Sequence, residues 1–251
     1  MSRSQPKIVS PVHKFFKWKG GAQAVKDGRE TIYEGGRLVS YNKETEENEE
    51  MKLPFRFFVL DQLHTVTGFS SQMEKPIWSN DVSNLKKEQF TVNGTGQNIQ
   101  GLWEDIKDAV KAAGGKYASS VYIAYLEGGK YVLGHIKVSG AALSSWFDYT
   151  KRYNVENGAT IITDKPELDK TGQTSFFRPV FEYDHTTPEE SEEAIRLDIQ
   201  LQSYLKDYFS QRMVESEVRL APENIQSDGQ VPVEAYDDID GERIDLSDIP
   251  F

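Results

Sequence analysis

Residues 53–61, Leu-Pro-Phe-Arg-Phe-Phe-Val-Leu-Asp, run on through His64-Thr65-Val66-Thr67-Gly68-Phe69, and no other stretch of the chain limits its fold as much. Period-two alternation puts Phe55, Phe57 and Val59 on one face of a strand and Arg56, Phe58 and Leu60 on the other. A strand that is apolar on both sides needs cover on both sides, so this one belongs in the middle of a sheet or barrel. Pro54 is tolerated at its start, and Gly68 is the candidate bulge or bend.

Around it the sequence reads as many short strands separated by Gly-rich turns. In Lys14-Phe15-Phe16-Lys17-Trp18-Lys19, strand geometry places Phe15, Lys17 and Lys19 on one face and Lys14, Phe16 and Trp18 on the other. Residues 31–33 and 36–41 are short strands. Residues 117–126 and 131–138 form a hairpin around Glu127-Gly128-Gly129-Lys130. Further strands are expected at 90–92, 159–163 and 173–183, with Pro179 marking an edge. The acidic run 44–50 reads as a solvated loop, and 73–81 as an irregular loop with an exposed Trp78.

Three segments follow helical spacing. In 99–113 the apolar positions are Leu102, Trp103, Ile106, Ala109, Val110 and Ala113, closed by Gly114-Gly115. A second helix opens at Ser139 or Gly140 and runs to Tyr153. The third has a Thr187 N-cap, Pro188 at the first helical position and acids in the first turn. Its stripe of Ala194, Ile195, Leu197, Leu201, Tyr204, Leu205, Tyr208, Phe209 and Met213 carries it to about Val214. The fold class expected is mainly β with added helices: an OB-fold-like Greek-key barrel, a long C-terminal helix and a disordered acidic tail.

Composition narrows the chemistry. The chain has 251 residues, no Cys and 4 scattered His, which leaves no disulfide framework and no zinc-ligand spacing; a reducing cytoplasm fits. No stretch nears the roughly 20 apolar residues of a membrane span, and the start lacks a signal-peptide core. The net charge of -11 is unevenly shared. Residues 1–186 hold 24 Lys and Arg against 23 Asp and Glu, whereas 187–251 hold 5 against 17. The body is near neutral, so the global charge does not exclude a nucleic-acid partner. Asn93-Gly94-Thr95-Gly96 lacks the spacing of a phosphate cradle, and no carboxylate pair sits in a hydrolase, nuclease or kinase motif; no enzyme and no cofactor are expected.

Cations interleaved with aromatics suit single strands, because rings stack on bases while Lys and Arg neutralise phosphates. The stacking candidates are Phe15, Trp18, Phe57, Phe58, Tyr131 and Trp146, of which about half are expected to be core. The phosphate candidates are Lys14, Lys17, Lys19, Arg56, Lys137, Lys151 and Arg178. Stacking serves DNA and RNA alike. Beyond Pro222 the periodicity disappears and an acidic stretch ends in Ile249-Pro250-Phe251. Such an end suits capture in a pocket: the Phe ring in an apolar slot, its carboxylate on a basic group, and upstream acids on a basic rim.

The tip, with Asp245 and Asp248 before Ile249, Pro250 and Phe251, resembles the C-terminal tip of bacterial single-stranded DNA-binding proteins. That resemblance implies recruitment of replication and repair enzymes. Residues 53–68, and 131–146 (Tyr-Val-Leu-Gly-His-Ile-Lys-Val-Ser-Gly-Ala-Ala-Leu-Ser-Ser-Trp), look like bacteriophage single-stranded DNA-binding proteins of OB-fold type. The two resemblances imply a non-enzymatic protein that coats single-stranded DNA in the cytoplasm of a bacterial host, as a monomer or a homo-oligomer. The organisation expected is a DNA-binding domain over 1–186, a helix over 187–215 and a tail over 216–251. The tail is also expected to compete with DNA for the basic groove. The rival is an interaction protein that binds no DNA and imitates the tip to divert host enzymes.

Overall fold

The double-sided apolar run at 53–69 becomes one long strand that organises a broad mixed sheet. The structure, a computed structural model, describes residues 9–26, 29–33, 35–42, 47–171 and 174–220. The tail beyond 220, with Asp245, Asp248, Ile249, Pro250 and Phe251, lies outside the described residues.

In chain order the first strands are β1 (Lys14–Lys19), β2 (Ala22–Lys26), β3 (Arg29–Tyr33), β4 (Arg37–Asn42) and β5 (Glu47–Glu50). The long strand β6 (Phe55–Ser70) leads to β7 (Lys75–Ser79), β8 (Phe90–Asn93), β9 (Ile99–Gly101) and helix α1 (Trp103–Ala112). The hairpin β10 (Gly115–Glu127) and β11 (Lys130–Ser139) precedes helix α2 (Ala141–Arg152). Then come β12 (Ala159–Ile162), β13 (Glu167–Thr171), β14 (Thr174–Arg178), β15 (Phe181–Asp184) and helix α3 (Pro188–Leu220).

The main sheet runs β5-β4-β1-β11-β10-β6-β7-β8-β9, with β12 joined to β6 and β15 to β12. β1 and β11 are parallel; the other pairs are antiparallel. A second sheet runs β13-β14-β2-β3. The protein is therefore mainly β with three α-helices among the described residues, and no pairing among them joins β5 to β9. The hairpin turns through Gly128 and Gly129, both at positive φ (58° and 81°), as a tight two-residue turn requires.

Several local expectations are corrected. Residues 47–50 are not loop: they pair with β4 as an exposed edge strand. Lys75–Ser79 is a strand on β6, not an irregular loop. Strand β9 takes the start of the stretch expected to be helical, and α1 begins at Trp103. The register shift in β6 falls at Leu60, between the pairs Tyr122–Asp61 and Ile123–Val59, and not at Gly68. It reverses the parity of the strand: Phe55, Phe57 and Val59 share a face with Val66, whereas Phe58 shares the opposite face with Leu63.

That reversal gives the sheet two faces of different character. On the inner face Phe16, Phe57, Val66, Tyr117, Val121, Ile123 and Ile136 pack with α1 residues Trp103, Ile106 and Val110 and with α2 residues Ala142, Leu143, Trp146 and Tyr149. Each fully buried large side chain there contributes roughly 1.5–3 kcal/mol. On the outer face Phe58, Leu63, Tyr122, Ala124 and Leu133 meet Leu197, Leu201 and Leu205 of α3. Ile195, expected in that stripe, is 60% exposed, as is Ile199 at 67%. The burying face of α3 is the narrower 194–197–201–205 row.

α3 is fastened at its start. Thr187 Oγ1 accepts from the Glu190 amide (3.2 Å) while Glu190 accepts from the Thr187 amide (3.0 Å), a reciprocal capping box. Arg56 donates to Asp184 (2.8 Å), to both Glu190 oxygens (2.7 and 3.0 Å) and to the His185 carbonyl (3.1 Å). Tyr131 adds its hydroxyl to Glu190 at 2.9 Å. The Arg56 contacts hold the Glu190 carboxyl down at about 2.

Candidate nucleic-acid interface

α3 covers only part of the outer face. Beside it a cleft of about 370 Å³ crosses the sheet, with Tyr204 and Tyr208 of α3 forming one wall. Its lining follows from strand register. β1 and β11 run parallel with Phe15 beside His135 and Lys17 beside Lys137. β10 sets Tyr122 opposite His135 and Ser120 opposite Lys137. Val39 and Tyr41 extend the row on β4, Thr65 and Thr67 on β6, and Trp78 on β7. One face of six adjacent strands thus brings rings, cations and hydroxyls together.

The floor is a hydrogen-bonded polar group. Asp81 accepts from the Ser120 hydroxyl (2.8 Å) and the Tyr122 hydroxyl (3.0 Å), and its amide donates to Tyr208 Oη (3.3 Å). Burial, and secondly the Asp81 charge, holds the Tyr122 hydroxyl far above the ordinary phenol range. His135 is 5% exposed and lies between Phe15 and Tyr122, both edge-on at ring distances of 5.4 and 5.0 Å. Burial pushes its imidazole down to about 4, against the pull of Asp81, so it is neutral at pH 7. Its Nδ1 is buried with no hydrogen-bond partner. Burial also lowers Lys137, with Asp81 opposing.

The sequence-predicted residues divide sharply. Phe15, Lys17 and Lys137 line the cleft. Trp18, Phe57 and Trp146 are in the inner core; Trp18 Nε1 donates to the Phe177 carbonyl (3.0 Å) and Trp146 Nε1 to Gln62 (3.0 Å). Phe58 is buried beneath α3 against Tyr131, with the Arg56 guanidinium 5.1 Å from its ring centre. None of these four buried rings offers a face to a base. Lys14 is held by Glu127 (2.5 Å), Arg56 by Asp184 and Glu190, and Arg178 by Glu167 and Asp169 (3.1 Å each). Lys19 is half-buried beyond the cleft, and Lys151 is exposed on α2, away from it.

Sequence reasoning missed Tyr41, Asp81, Tyr122 and His135 as site residues, and left the exposed ring of Trp78 unassigned. Tyr122 and His135 were within reach of sequence: the hairpin register pairs them, and the parity of Phe15 and Lys17 selects their face. Asp81 was not, because it lies past β7 in a segment without periodicity.

No family model, no curated protein and no solved structure matches the chain. No helix among the described residues is long and apolar enough to cross a membrane. Among the same residues there is no group of three or more His, Asp or Glu side chains arranged to hold a metal ion.

Proposed function

We propose that this chain binds single-stranded DNA across the open part of its outer sheet face, as a bacteriophage coat for replication or recombination intermediates in the bacterial cytoplasm. The observation that carries the reading is the cleft itself. Phe15 and Trp78 are 36% and 39% exposed at a site that also holds Lys17 and Lys137. Exposed large rings beside cations on a sheet face are what base stacking and phosphate neutralisation require. An OB-type barrel, as the resemblance implies, is the finer architecture within this proposal. The Asp-Ile-Pro-Phe tip would recruit replication and repair enzymes, its acids and terminal ring meeting a basic, apolar pocket on the partner.

Fluorescence anisotropy of labelled oligo-dT and of duplex DNA, with the full chain and varied salt, tests this. Expected is a single-strand preference that weakens as salt rises. Absence of any oligo-dT binding by the folded full chain at low salt overturns it.

A second reading has its own support. Among the predicted phosphate ligands, Lys14, Arg56 and Arg178 are held in ion pairs, and the cleft floor carries Asp81. A protein that binds no DNA and uses the tip alone to divert host enzymes needs no cations on this face. The same titration separates the two.

A further inference from the structure

We infer that the cleft is a pocket for a single nucleobase, and that guanine is its preferred occupant. The inference deepens the single-strand reading and rests on it. At about 370 Å³ the cleft lies near the small end of ligand pockets, roughly 300–1,000 Å³, and suits one planar ring system entering past Phe15 and Trp78.

The polar groups inside select among bases. Each Asp81 oxygen accepts one hydroxyl, from Ser120 or Tyr122. A carboxylate has about four lone-pair sites, so each oxygen keeps capacity for one more donor. Guanine carries two adjacent donors, N1–H and N2–H, on one edge, which matches a carboxylate bidentately. Adenine and cytosine would press a ring-nitrogen lone pair against Asp81, and thymine offers one donor between two carbonyls. Beside its donors guanine presents the O6 and N7 acceptors, and Lys137 and His135 are the groups available to them.

His135 supplies the independent sign that something belongs here. His135 lines the cleft, and its Nδ1 is buried and has no partner, whereas buried polar atoms are almost always paired. The edge-on rings of Phe15 and Tyr122 clamp the imidazole. A neutral imidazole with Nδ1 protonated is a donor, and N7 and O6 are acceptors of the kind it lacks.

The test measures affinity of the full chain for oligo-dT carrying one central dG, dA, dC or no substitution. The dG oligomer is expected to bind roughly tenfold tighter than the others, the discrimination of one bidentate pair. Asp81→Asn should erase that ratio. Lys137→Met, which leaves the Asp81–Ser120–Tyr122 contacts intact, should reduce it and decides the matter if Asp81→Asn does not fold. Equal affinity for all four oligomers, or a dG advantage that survives both substitutions, overturns the inference while leaving single-strand binding in place. If oligo-dT is not bound at all, the single-strand reading falls and the pocket is judged alone, by the difference in tryptophan fluorescence between the full chain and its Trp78→Phe variant during titration with guanosine and adenosine monophosphates. A saturable response to the guanine nucleotide alone upholds it, and no response to either overturns it.

Discussion

Phe15 and Phe16 are neighbours on β1, yet Phe16 is 1% exposed in the inner core and Phe15 is 36% exposed at the mouth of the cleft. The same contrast runs across the sheet. The inner face is sealed by two helices and is almost entirely apolar. Among the described residues the outer face is covered by one helix over part of its area, and where that cover stops the side chains become Lys17, Thr65, Thr67, Asp81, His135 and Lys137. A sealed face gains from every methylene it buries. A half-open face has to satisfy or tolerate polar groups in a partly dry setting, which is where pKa values shift and ligands find partners. Stability and binding are therefore expected to separate by face.

The strongest challenge to that separation is Trp146→Ala. It empties a large inner-face site and strands Gln62, and should cost about 3–5 kcal/mol in denaturant unfolding. A loss below about 1 kcal/mol would mean the inner face is not the principal core.

Next comes acid. The folded His135 titrates near 4 against an ordinary 6.5, so between those values the unfolded chain binds a proton that the folded chain does not. Its contribution is complete above pH 6.5 and is lost as pH falls toward 4, on the order of 3 kcal/mol in all. In His135→Asn that part of the pH–stability slope should vanish. An unchanged slope would remove His135 from the half-dry floor.

Arg56→Ala should cost about 1.5–3 kcal/mol by breaking charge-assisted bonds to Asp184 and Glu190, with faster hydrogen exchange at the start of α3. Glu190, depressed to about 2, adds stability that is present above about 4.5 and lost as pH falls toward 2; the variant should lose this dependence. An α3 that stays protected in the variant would show that its leucine row alone fixes it.

The smallest stability effects belong to the cleft mouth. Phe15→Ala and Trp78→Ala should each leave stability within roughly 0.5 kcal/mol while weakening oligo-dT binding by roughly 1–3 kcal/mol. Lys151→Ala, away from the cleft, should change neither. If Phe15 and Trp78 matter only to stability, the two faces do not differ in the way described.

Much of this was legible along the chain. The parity of 14–19, the glycine hairpin at 127–130 and the Thr187-Pro188 helix start all follow from neighbours a few residues apart, and the structure contains each. What failed had non-local causes. Apolar rings on both sides of β6 look alike in sequence, and only α3 packing on one side makes Phe58 a buried residue. Likewise Arg56 reads as a phosphate ligand until Asp184 and Glu190, far along the chain, arrive beside it. Glu47–Glu50 has the composition of a loop and becomes a strand because β4 offers it an edge.

The sequence by itself determined the β-rich body, the presence and order of the three helices and the separation of a near-neutral body from an acidic C-terminal part. Period, turn chemistry and charge are local properties, so they can be read in order. The tertiary structure decided which side of each strand stays open. The Leu60 bulge reverses the parity of β6, and α3 then covers one part of the outer face and leaves the other. Both depend on contacts between distant segments, and those contacts turn Asp81, Tyr122 and His135 from scattered polar residues into the floor of one cleft.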